Sequence, residues 1–381
     1  MANRGAMAVL IAGVPAENPT LFLRVGLAVG DPAAWISVAE KSTVILRDVE
    51  IDRARVLGDA DRYACPADFK PPGGLDPDRT TATAQAVAQC LRSLGVERVR
   101  TDRSLPFVFA WHVMQLGIAL DYDSELGVLE RRVKNVQQQA ALARAQQVTE
   151  QAMQMACSLI ARSQAQSDGT LRHDGAPLTS ERVKSEIARN LLDQGFSMGH
   201  GAIVATTPDS ADCHHGGVGP LHTGQPVIID IFPRDEASRY WGDCTRTVVH
   251  GKPSAAVVAM HRAVLEAKAA SIACLRAGRL ASAVHQEAID VLLEHQFRPS
   301  RGTVSDDPTI QHGTGHGVGL ELHEPILLDE GGEAILAGEV FTVEPGLYGR
   351  RDGGVRVEDM LVVTETVATN LNQLHEGLDW S

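Results

Sequence analysis

The sequence has few of the features that mark a disulfide-stabilised or cysteine-ligated fold. Its six cysteines lie far apart and include no C-x-x-C pair. A disulfide framework or a cysteine zinc site needs closer, patterned spacing, so we predict reduced and mostly buried thiols. The cysteines are Cys65, Cys90, Cys157, Cys213, Cys244 and Cys274.

The sequence also offers little that suits a membrane or a nucleic acid. The segment Met1–Gly13 has one Arg and an apolar run from Met7 to Ala12. This run is too short to span a membrane and lacks the full layout of a signal peptide. No run of Lys or Arg stands out, and the formal net charge of −13 argues against a partner held by phosphate contacts. We expect a cytoplasmic protein that binds neither membranes nor nucleic acids.

The length of 381 residues suits two domains, and the 44% hydrophobic and 22% charged content suits a soluble globular protein. The first third alternates β-rich runs with helical stretches, which predicts a small α/β unit. A helix from Asp78 to Leu94 is expected to end at Gly95, and Pro66–Pro77 is predicted to be a surface loop. The predicted strands are Ala8–Ala12, Trp35–Val38, Thr43–Leu46 and Val96–Thr101.

The rest of the chain is rich in helices, with strands both before and after them. Glu130–Arg162 contains no Pro or Gly and predicts one or two helices that link the domains. Another helix, Glu181–Gln194, carries apolar residues at four-residue spacing, with Ser180 as its N-cap. This order favours an α+β fold. Further helices are predicted at 255–277 and 280–295, and strands at 227–232, 241–249, 339–343 and 355–363.

Acidic and histidine residues are concentrated in apolar, strand-like contexts of the second half. Asp230 follows three aliphatic residues in VIIDIF, and Glu344 follows the apolar run of FTVEPG. A carboxylate at such a position is costly to keep ionised unless its pKa rises or a cation pairs with it. One such residue alone is more often salt-bridged or solvent-facing. A shared metal site is favoured because five side chains have this setting: Asp230, Asp243, His316, Glu344 and Glu358.

The donor types indicate which ions would bind. Oxygen-rich ligation with a single imidazole suits Mn, Co, Fe or Zn. Four carboxylates carry enough charge for two dications, which would lie about 3.5–4 Å apart and share a water or hydroxide. Because metal binding lowers the pKa of that water from about 15.7 to about 7, hydrolysis is the natural use of such a site.

The histidines near His316 lie in an unusual glycine-rich segment, HGTGHGVGLELHE. His312 and His316 are four residues apart, but the intervening and following glycines argue against a helix. We predict a strand or turn in which backbone crowds the site. A phosphate-binding loop is disfavoured because the G-x-G-x-x-G order and the flanking strand and helix are missing. His214 and His215 form a loop pair that, taken alone, suits solvated residues.

These segments resemble the pita-bread metallopeptidases, which include Xaa-Pro aminopeptidase, Xaa-Pro dipeptidase (prolidase), methionine aminopeptidase and the metal-free relative creatinase. The resemblance covers residues 138–381, and residues 1–137 resemble the creatinase-type N-terminal α/β domain by length, position and α/β pattern. It implies a C-terminal pita-bread catalytic domain. The residues that match the family's metal ligands are Asp230, Asp243 of D-C-T-R-T, His316 of G-H-G-V-G, Glu344 of E-P-G and Glu358 of V-R-V-E-D.

Other positions resemble the prolyl-peptidase branch in particular. His312, Arg356 and the large N-terminal domain point to this branch rather than to methionine aminopeptidase. His323 of L-H-E matches the family histidine that contacts the substrate near the scissile bond. His214, favoured over His215, matches the upstream active-site histidine. The preceding stretch departs from the family's S-G-x-N pattern and reads Thr206-Thr207-Pro208-Asp209.

The resemblance implies an Xaa-Pro aminopeptidase or dipeptidase that acts by attack of a metal-bridging hydroxide. Glu344 would shuttle a proton, and His323 and His214 would steady the oxyanion or the scissile amide. His312 would line the pocket beside a proline ring, and Arg356 would hold carboxylates or gate the site. The family also implies two divalent ions, with Mn favoured and Co, Zn or Fe compatible, and a homodimer. The alternatives are a creatinase-type small-amide hydrolase and a non-catalytic binding protein on this fold.

Overall fold

The computed structural model describes residues 6–301 and 303–381, which divide into two compact units between Arg131 and Arg132. This division lies ahead of the boundary expected at residue 137. Met1–Gly5, the first part of the segment considered above as a signal sequence, lie outside the described residues. All six cysteines are free, and all but Cys65 and Cys213 are buried.

The first unit is built on a mixed six-stranded sheet with the order β4-β3-β2-β1-β5-β6. The central strand β1 pairs antiparallel with β2 and parallel with β5. All four predicted strands are confirmed, and Val96–Thr101 agrees at both ends. The strands are β1 (Ala6–Gly13), β2 (Ala33–Val38), β3 (Lys41–Ile45), β4 (Arg62–Ala64), β5 (Val96–Thr101) and β6 (Ala119–Tyr122).

The longest helix of this unit follows the predicted start and stop signals. Asp78 caps its N-terminus by accepting a hydrogen bond from Thr81 N, and Gly95 follows its end in a left-handed conformation (φ +67°). The predicted loop 66–77 contains one 3-10 turn, Pro66–Phe69. The helices are α1 (Pro19–Val25), α2 (Ile51–Leu57), α3 (Arg79–Ser93), α4 (Phe107–Gln115) and α5 (Leu129–Arg132), the last of which crosses the division.

Four long helices belong to the second unit. The first of them, α6, packs its buried face into the core of this unit together with α7, so it does not act as a linker. Its Gln146 side chain bonds the backbone of Asp243, donating to the carbonyl (2.6 Å) and accepting from the N–H (2.8 Å). The helices are α6 (Val136–Ala161), α7 (Ser180–Asp193), α8 (Ala255–Cys274) and α9 (Ala281–Glu294).

Two details of these helices differ from or add to the expectations. The N-cap of α7 is Thr179, whose side chain accepts from Arg182 N, and Ser180 is the first helical residue. The predicted N-cap, Ser180, was therefore wrong by one position. The sequence alone does not separate the two, because Thr and Ser hydroxyls can both cap a helix. The apolar stripe is confirmed, since Val183, Ile187 and Leu191 are all buried. Among the described residues, no helix is both long and apolar enough to span a membrane.

Five small sheets complete the second unit, and two of them contribute most to the site. Their orders are β7-β8-β9, β10-β13, β11-β12-β14, β15-β16-β20-β21 and β18-β17-β19-β22-β23. The strands are β7 (Gln164–Ala165), β8 (Leu171–His173), β9 (Ala176–Pro177), β10 (Phe196–Ser197), β11 (Ala202–Thr206), β12 (Pro226–Ile231), β13 (Arg234–Asp235), β14 (Cys244–Val249), β15 (Arg298–Pro299), β16 (Thr309–Ile310), β17 (Gly315–Gly317), β18 (Glu324–Leu328), β19 (Val340–Val343), β20 (Gly346–Gly349), β21 (Gly353–Arg356), β22 (Asp359–Val362) and β23 (Thr369–Asn370).

The segment Val355–Val363, predicted as one strand, is two strands in two sheets. β21 pairs with β20, whereas β22 pairs with β19 and β23. The crossing between the sheets falls at Val357 and Glu358, which belong to neither strand. The residue pattern of this segment does not reveal the crossing, because both strands are buried along their whole length and show no alternation of buried and exposed residues.

Candidate metal centre and active site

The five predicted metal ligands line one cavity of about 400 Å³. Asp230 lies in β12, and Asp243 immediately precedes β14, the antiparallel neighbour of β12. His316 is the central residue of β17, and Glu344 directly follows β19. Glu358 enters the same cavity from the crossing between β21 and β22. Two sheets therefore bring together residues that span more than a hundred positions of the chain.

The centre of the cluster is tight and buried. One ligand atom each of Asp243, His316 and Glu358 lie within 4.8 Å of one another, and all three residues are buried. His316 Nε2 lies 3.6 Å from Asp243 Oδ2 and 3.5 Å from Glu344 Oε1. These separations allow one cation to be bound by several of these groups.

The state of His316 suits metal ligation. Burial and the neighbouring His323 lower the pKa of His316 to about 3, so its imidazole is neutral. Nδ1 donates its proton to Gly317 O at 3.1 Å, which leaves the lone pair of Nε2 facing the carboxylates. A metal-bound histidine normally donates its other N–H in this way.

The carboxylates are poorly satisfied by the protein alone. Burial and their mutual repulsion raise the pKa of Asp243 and of Glu358 well above the usual range. Burial raises the pKa of Glu344 to about 7, although Arg356 opposes this shift. Asp230 Oδ1 is buried and has no hydrogen-bond partner among the residues that the structure describes. This orphaned oxygen and the excess of buried negative charge fit a site for divalent cations.

Neighbouring side chains hold the carboxylates in place. Thr245 Oγ1 donates to Glu358 Oε2 at 2.8 Å, and Thr342 Oγ1 lies 3.4 Å from Glu344 Oε1. Arg356, only 3% exposed, donates from Nη2 to Asp230 Oδ2 at 2.7 Å. Arg356 Nε lies 4.0 Å from Glu344 Oε2. The guanidinium thus holds two carboxylates, which is one of the two roles expected for it.

A hydrogen-bonded chain runs from Arg356 to His312. Arg356 Nη1 donates to Tyr348 Oη (2.9 Å), whose hydroxyl lies 2.5 Å from His312 Nε2. Because Tyr348 accepts from Arg356, its own proton goes to Nε2, and His312 Nδ1 donates to Gly313 O (2.7 Å). Burial, aided by the charge of Arg356, lowers the pKa of His312 to about 3. Both ring nitrogens are used, so His312 presents ring carbons to the cavity.

The glycine-rich segment is a strand and turn, as predicted, in which backbone crowds the site. A Cβ on Gly315 would lie 2.0 Å from Thr342 O, and one on Gly317 would lie 2.7 Å from Glu324 O. Both distances are far below van der Waals contact. Side chains are therefore excluded from these positions of β17, and the neighbouring strand can approach His316.

The three remaining predicted histidines separate into two groups. His323 and His214 line the cavity, and the His323 ring stands edge-on to His316 with centroids 4.3 Å apart. His215 Nδ1 instead accepts from Gly217 N at 3.0 Å and lies 3.6 Å from Asp209. This placement favours His214 over its neighbour as the residue available to a substrate.

Sequence reasoning missed Thr245 and Tyr348, which hydrogen-bond to side chains of the site. Thr245 lies two positions after Asp243, on the same face of β14, so the two-residue period of a strand could have indicated it. Tyr348 follows Glu344 in E-P-G-L-Y, in a strand that pairs with the strand of Arg356. No local signal marks Tyr348, because its role depends on the pairing of β20 with β21.

Comparison with known proteins agrees with this geometry. The family model described as "Metallopeptidase family M24" matches residues 140–365, which is more than half of the chain. The chain belongs to metallopeptidase family M24. The expected resemblance to the pita-bread metallopeptidases is therefore confirmed.

Curated relatives match the M24 chain over part of its length. A probable dipeptidase PepE of Mycobacterium tuberculosis is 33% identical over 196 residues, or 51% of this chain and 50% of the relative. An Xaa-Pro dipeptidase of Pyrococcus furiosus is 33% identical over 159 residues, or 42% of each. The chain thus spans about half the length, or less, of these relatives.

Solved structures resemble the M24 chain over nearly all of it. An Xaa-Pro dipeptidase from Bacillus anthracis has a TM-score of 0.80 and 21% identity, covering 98% of this chain and 94% of that one. The prolidase from Pyrococcus horikoshii has a TM-score of 0.77 and 21% identity, covering 98% and 95%. These likenesses confirm the predicted fold, an α+β chain with an N-terminal α/β unit and a C-terminal pita-bread unit.

Proposed function

We propose that this chain is a metal-dependent exopeptidase that cleaves peptides with proline in the second position, as an Xaa-Pro aminopeptidase or dipeptidase. The observation that carries the proposal is the convergence of four carboxylates and one neutral imidazole in a single buried cavity. Relatives named as dipeptidase and Xaa-Pro dipeptidase support the same class of reaction. An intact donor set argues against a non-catalytic binding protein.

The five ligands Asp230, Asp243, His316, Glu344 and Glu358 would hold two divalent ions. Oxygen-rich donors with one imidazole favour Mn, and they also accept Co, Zn or Fe. When bound, such ions would polarise a carbonyl and lower the pKa of a bound water to about 7. The buried negative charge and the unpaired Asp230 Oδ1 described above support this assignment.

Three residues of the chain would then act on the substrate. Glu344, whose Oε1 lies 3.5 Å from His316 Nε2 at the proposed metal centre, is placed to take up a proton from the attacking water. It would pass a proton to the departing nitrogen. His323, next to His316 in the cavity, would donate a hydrogen bond to the developing oxyanion, with His214 beside the scissile amide.

His312 supports the preference for proline. Both of its nitrogens are engaged, by Tyr348 and by the backbone carbonyl of Gly313. Its remaining ring edge is apolar and cannot donate or accept a hydrogen bond. A proline residue has no backbone N–H that needs an acceptor, so it suits such a surface better than a residue with a free N–H does.

Chelation and a peptide panel test the proposal. We expect EDTA to abolish hydrolysis and added Mn or Co to restore it, because the protein donors alone cannot supply the Lewis acid. The panel comprises Xaa-Pro dipeptides, Xaa-Pro tripeptides and Met-Ala peptides, with product release followed by mass spectrometry. Release of the first residue from tripeptides indicates an aminopeptidase, and cleavage of dipeptides alone indicates a prolidase.

Two results would reject this proposal. Hydrolysis that survives exhaustive chelation would favour creatinase-type, metal-free chemistry. Inactivity toward every proline peptide, with activity on a small amide, would favour the creatinase-type alternative instead.

Substitution of His323 separates catalysis from metal binding. His323→Ala is expected to keep full metal content and to lower kcat by about 10²–10³-fold, as expected when one oxyanion donor is lost. Turnover and metal content are measured on the same preparation. His215→Ala is the control, because His215 bonds backbone rather than lining the cavity. An unchanged kcat in His323→Ala would remove His323 from the reaction.

The compartment and the assembly are also proposals. Six free cysteines suit a reducing compartment such as the cytoplasm. A homodimer is expected from the family resemblance, and size-exclusion chromatography with light scattering would test it.

A further inference from the structure

The turn that presents His323 is folded around a buried carboxylate. Residues 319–324, called here the histidine turn, connect β17 to β18 through Val318. Glu324 points its carboxylate back under this turn, where Oε1 accepts from the N–H groups of Leu320 (3.1 Å) and Glu321 (3.4 Å). Such bonds to an ionised acceptor are about twice as strong as neutral ones. The Glu324 carboxylate therefore helps to fix the shape of the turn.

A buried lysine balances the charge of Glu324. Lys134 Nζ lies 2.8 Å from Glu324 Oε2, and both side chains are only 3% exposed. The backbone fixes Lys134 in turn, since its N–H donates to Gly338 O and its carbonyl accepts from Gln139. A lone buried charge is costly, and Lys134 supplies the opposite charge beside the Glu324 carboxylate beneath the turn.

The opposite side of the histidine turn is also held. Trp241 donates from its backbone N to Gly319 O and from Nε1 to Leu320 O, both at 3.1 Å. A Cβ on Gly319 would lie 2.5 Å from Glu324 Oε2, so the turn fits closely over the carboxylate. Held from both sides, the turn has little freedom to move His323 relative to His316.

We infer that the buried Lys134–Glu324 ion pair is a positioning device that holds the His323 ring against the metal centre. Neither residue contacts the substrate in this assignment. Each acts through the histidine turn, and the expected effect on turnover rests on the proposed function.

Three variants test this inference. Lys134→Met removes the cation beside Glu324, Glu324→Gln removes the anion, and the double variant removes both charges together. Each single variant is expected to lower kcat by about 100-fold, because a small displacement of a catalytic group has that effect. KM and metal content should stay near wild type. The double variant, in which the new amide oxygen at position 324 can still accept from Leu320 N, should recover about tenfold of the loss.

A matched control separates positioning from general destabilisation. Arg132→Met breaks a comparable buried pair with Glu339 (2.5 Å) in the same unit, and the other contacts of Arg132 are with Glu333 and Ala334. This variant should lose stability but keep the kcat of its folded fraction. The double variant removes both members of the ion pair, so it remains testable if a single variant does not fold.

Hydrogen exchange gives a second readout that does not require activity. The amides of Leu320 and Glu321 should exchange faster in both single variants and at the wild-type rate in Arg132→Met. Wild-type exchange or wild-type kcat in the single variants, or a double variant no better than either, would overturn the inference. Altered exchange in a protein whose wild type cleaves no peptide would support the positioning and reject the proposed peptidase.

Discussion

Asp243→Ala and Glu358→Ala are each expected to lose metal and activity together. Both carboxylates are buried beside His316 at the centre of the cluster, within 4.8 Å of it and of each other. Removing either one takes away a ligand that the others cannot replace. Because bound metal supplies several kcal/mol to the transition state and about 1.4 kcal/mol is tenfold in rate, we expect kcat/KM to fall by about 10³-fold or more.

Metal stoichiometry by plasma mass spectrometry, together with kcat/KM for an Xaa-Pro peptide, checks this result. Asp235→Ala is a matched control, because Asp235 is a buried carboxylate that contacts Ala237 N, Ser238 Oγ and Arg144 Nε and does not line the cavity. It should keep its metal. Full metal content and turnover in both Asp243→Ala and Glu358→Ala would reject the assignment of these residues as shared ligands.

The metal-free wild-type protein is expected to lose stability relative to Glu344→Gln as the pH rises from about 5 to 8. Burial raises the pKa of Glu344 from 4.5 to about 7, so between these values the folded state holds a proton that the unfolded chain has released. Folding is then favoured fully below pH 4.5, and that advantage is lost as pH rises through 7. Glu344 alone accounts for about 3 kcal/mol of this change. The raised pKa values of Asp243 and Glu358 act in the same direction.

Urea unfolding in EDTA at pH 5 and pH 8 measures the effect. With Mn bound the carboxylates stay ionised over this range, so their share of the pH dependence should nearly disappear. Glu344→Gln cannot titrate and should remove its own share of the slope in the metal-free protein. A metal-free wild type whose stability relative to Glu344→Gln stays flat or rises from pH 5 to pH 8 would contradict the raised pKa of Glu344.

The proposed ligand residues could be picked out from the sequence because their local contexts carry a signal. Asp230 and Glu344 end apolar runs, and His316 lies among glycines whose spacing excludes a helix. These signals fall within a few residues of the ligand, and the structure brings all of them into one cavity. The same holds for long elements such as α3 and α7, whose caps and apolar stripes are local.

Contacts between distant segments could not be read in this way. Arg356 and Asp230 are 126 positions apart, and Lys134 and Glu324 are 190 apart. Nothing in the sequence around Lys134 distinguishes it from a solvated lysine. The crossing at Glu358 was missed for a related reason, because sheet membership depends on partners elsewhere in the chain.

The bonds between Gln146 and Asp243 have a consequence for the order of assembly. The side-chain amide of Gln146 in α6 bonds both the N–H and the carbonyl of Asp243, which is 97 positions away. Until the long helix docks on the sheet, that aspartate has no fixed place beside the imidazole. We therefore expect cation binding by the proposed ligands to follow the docking of α6, so that uptake of the ion would mark a late stage in the folding of the second unit.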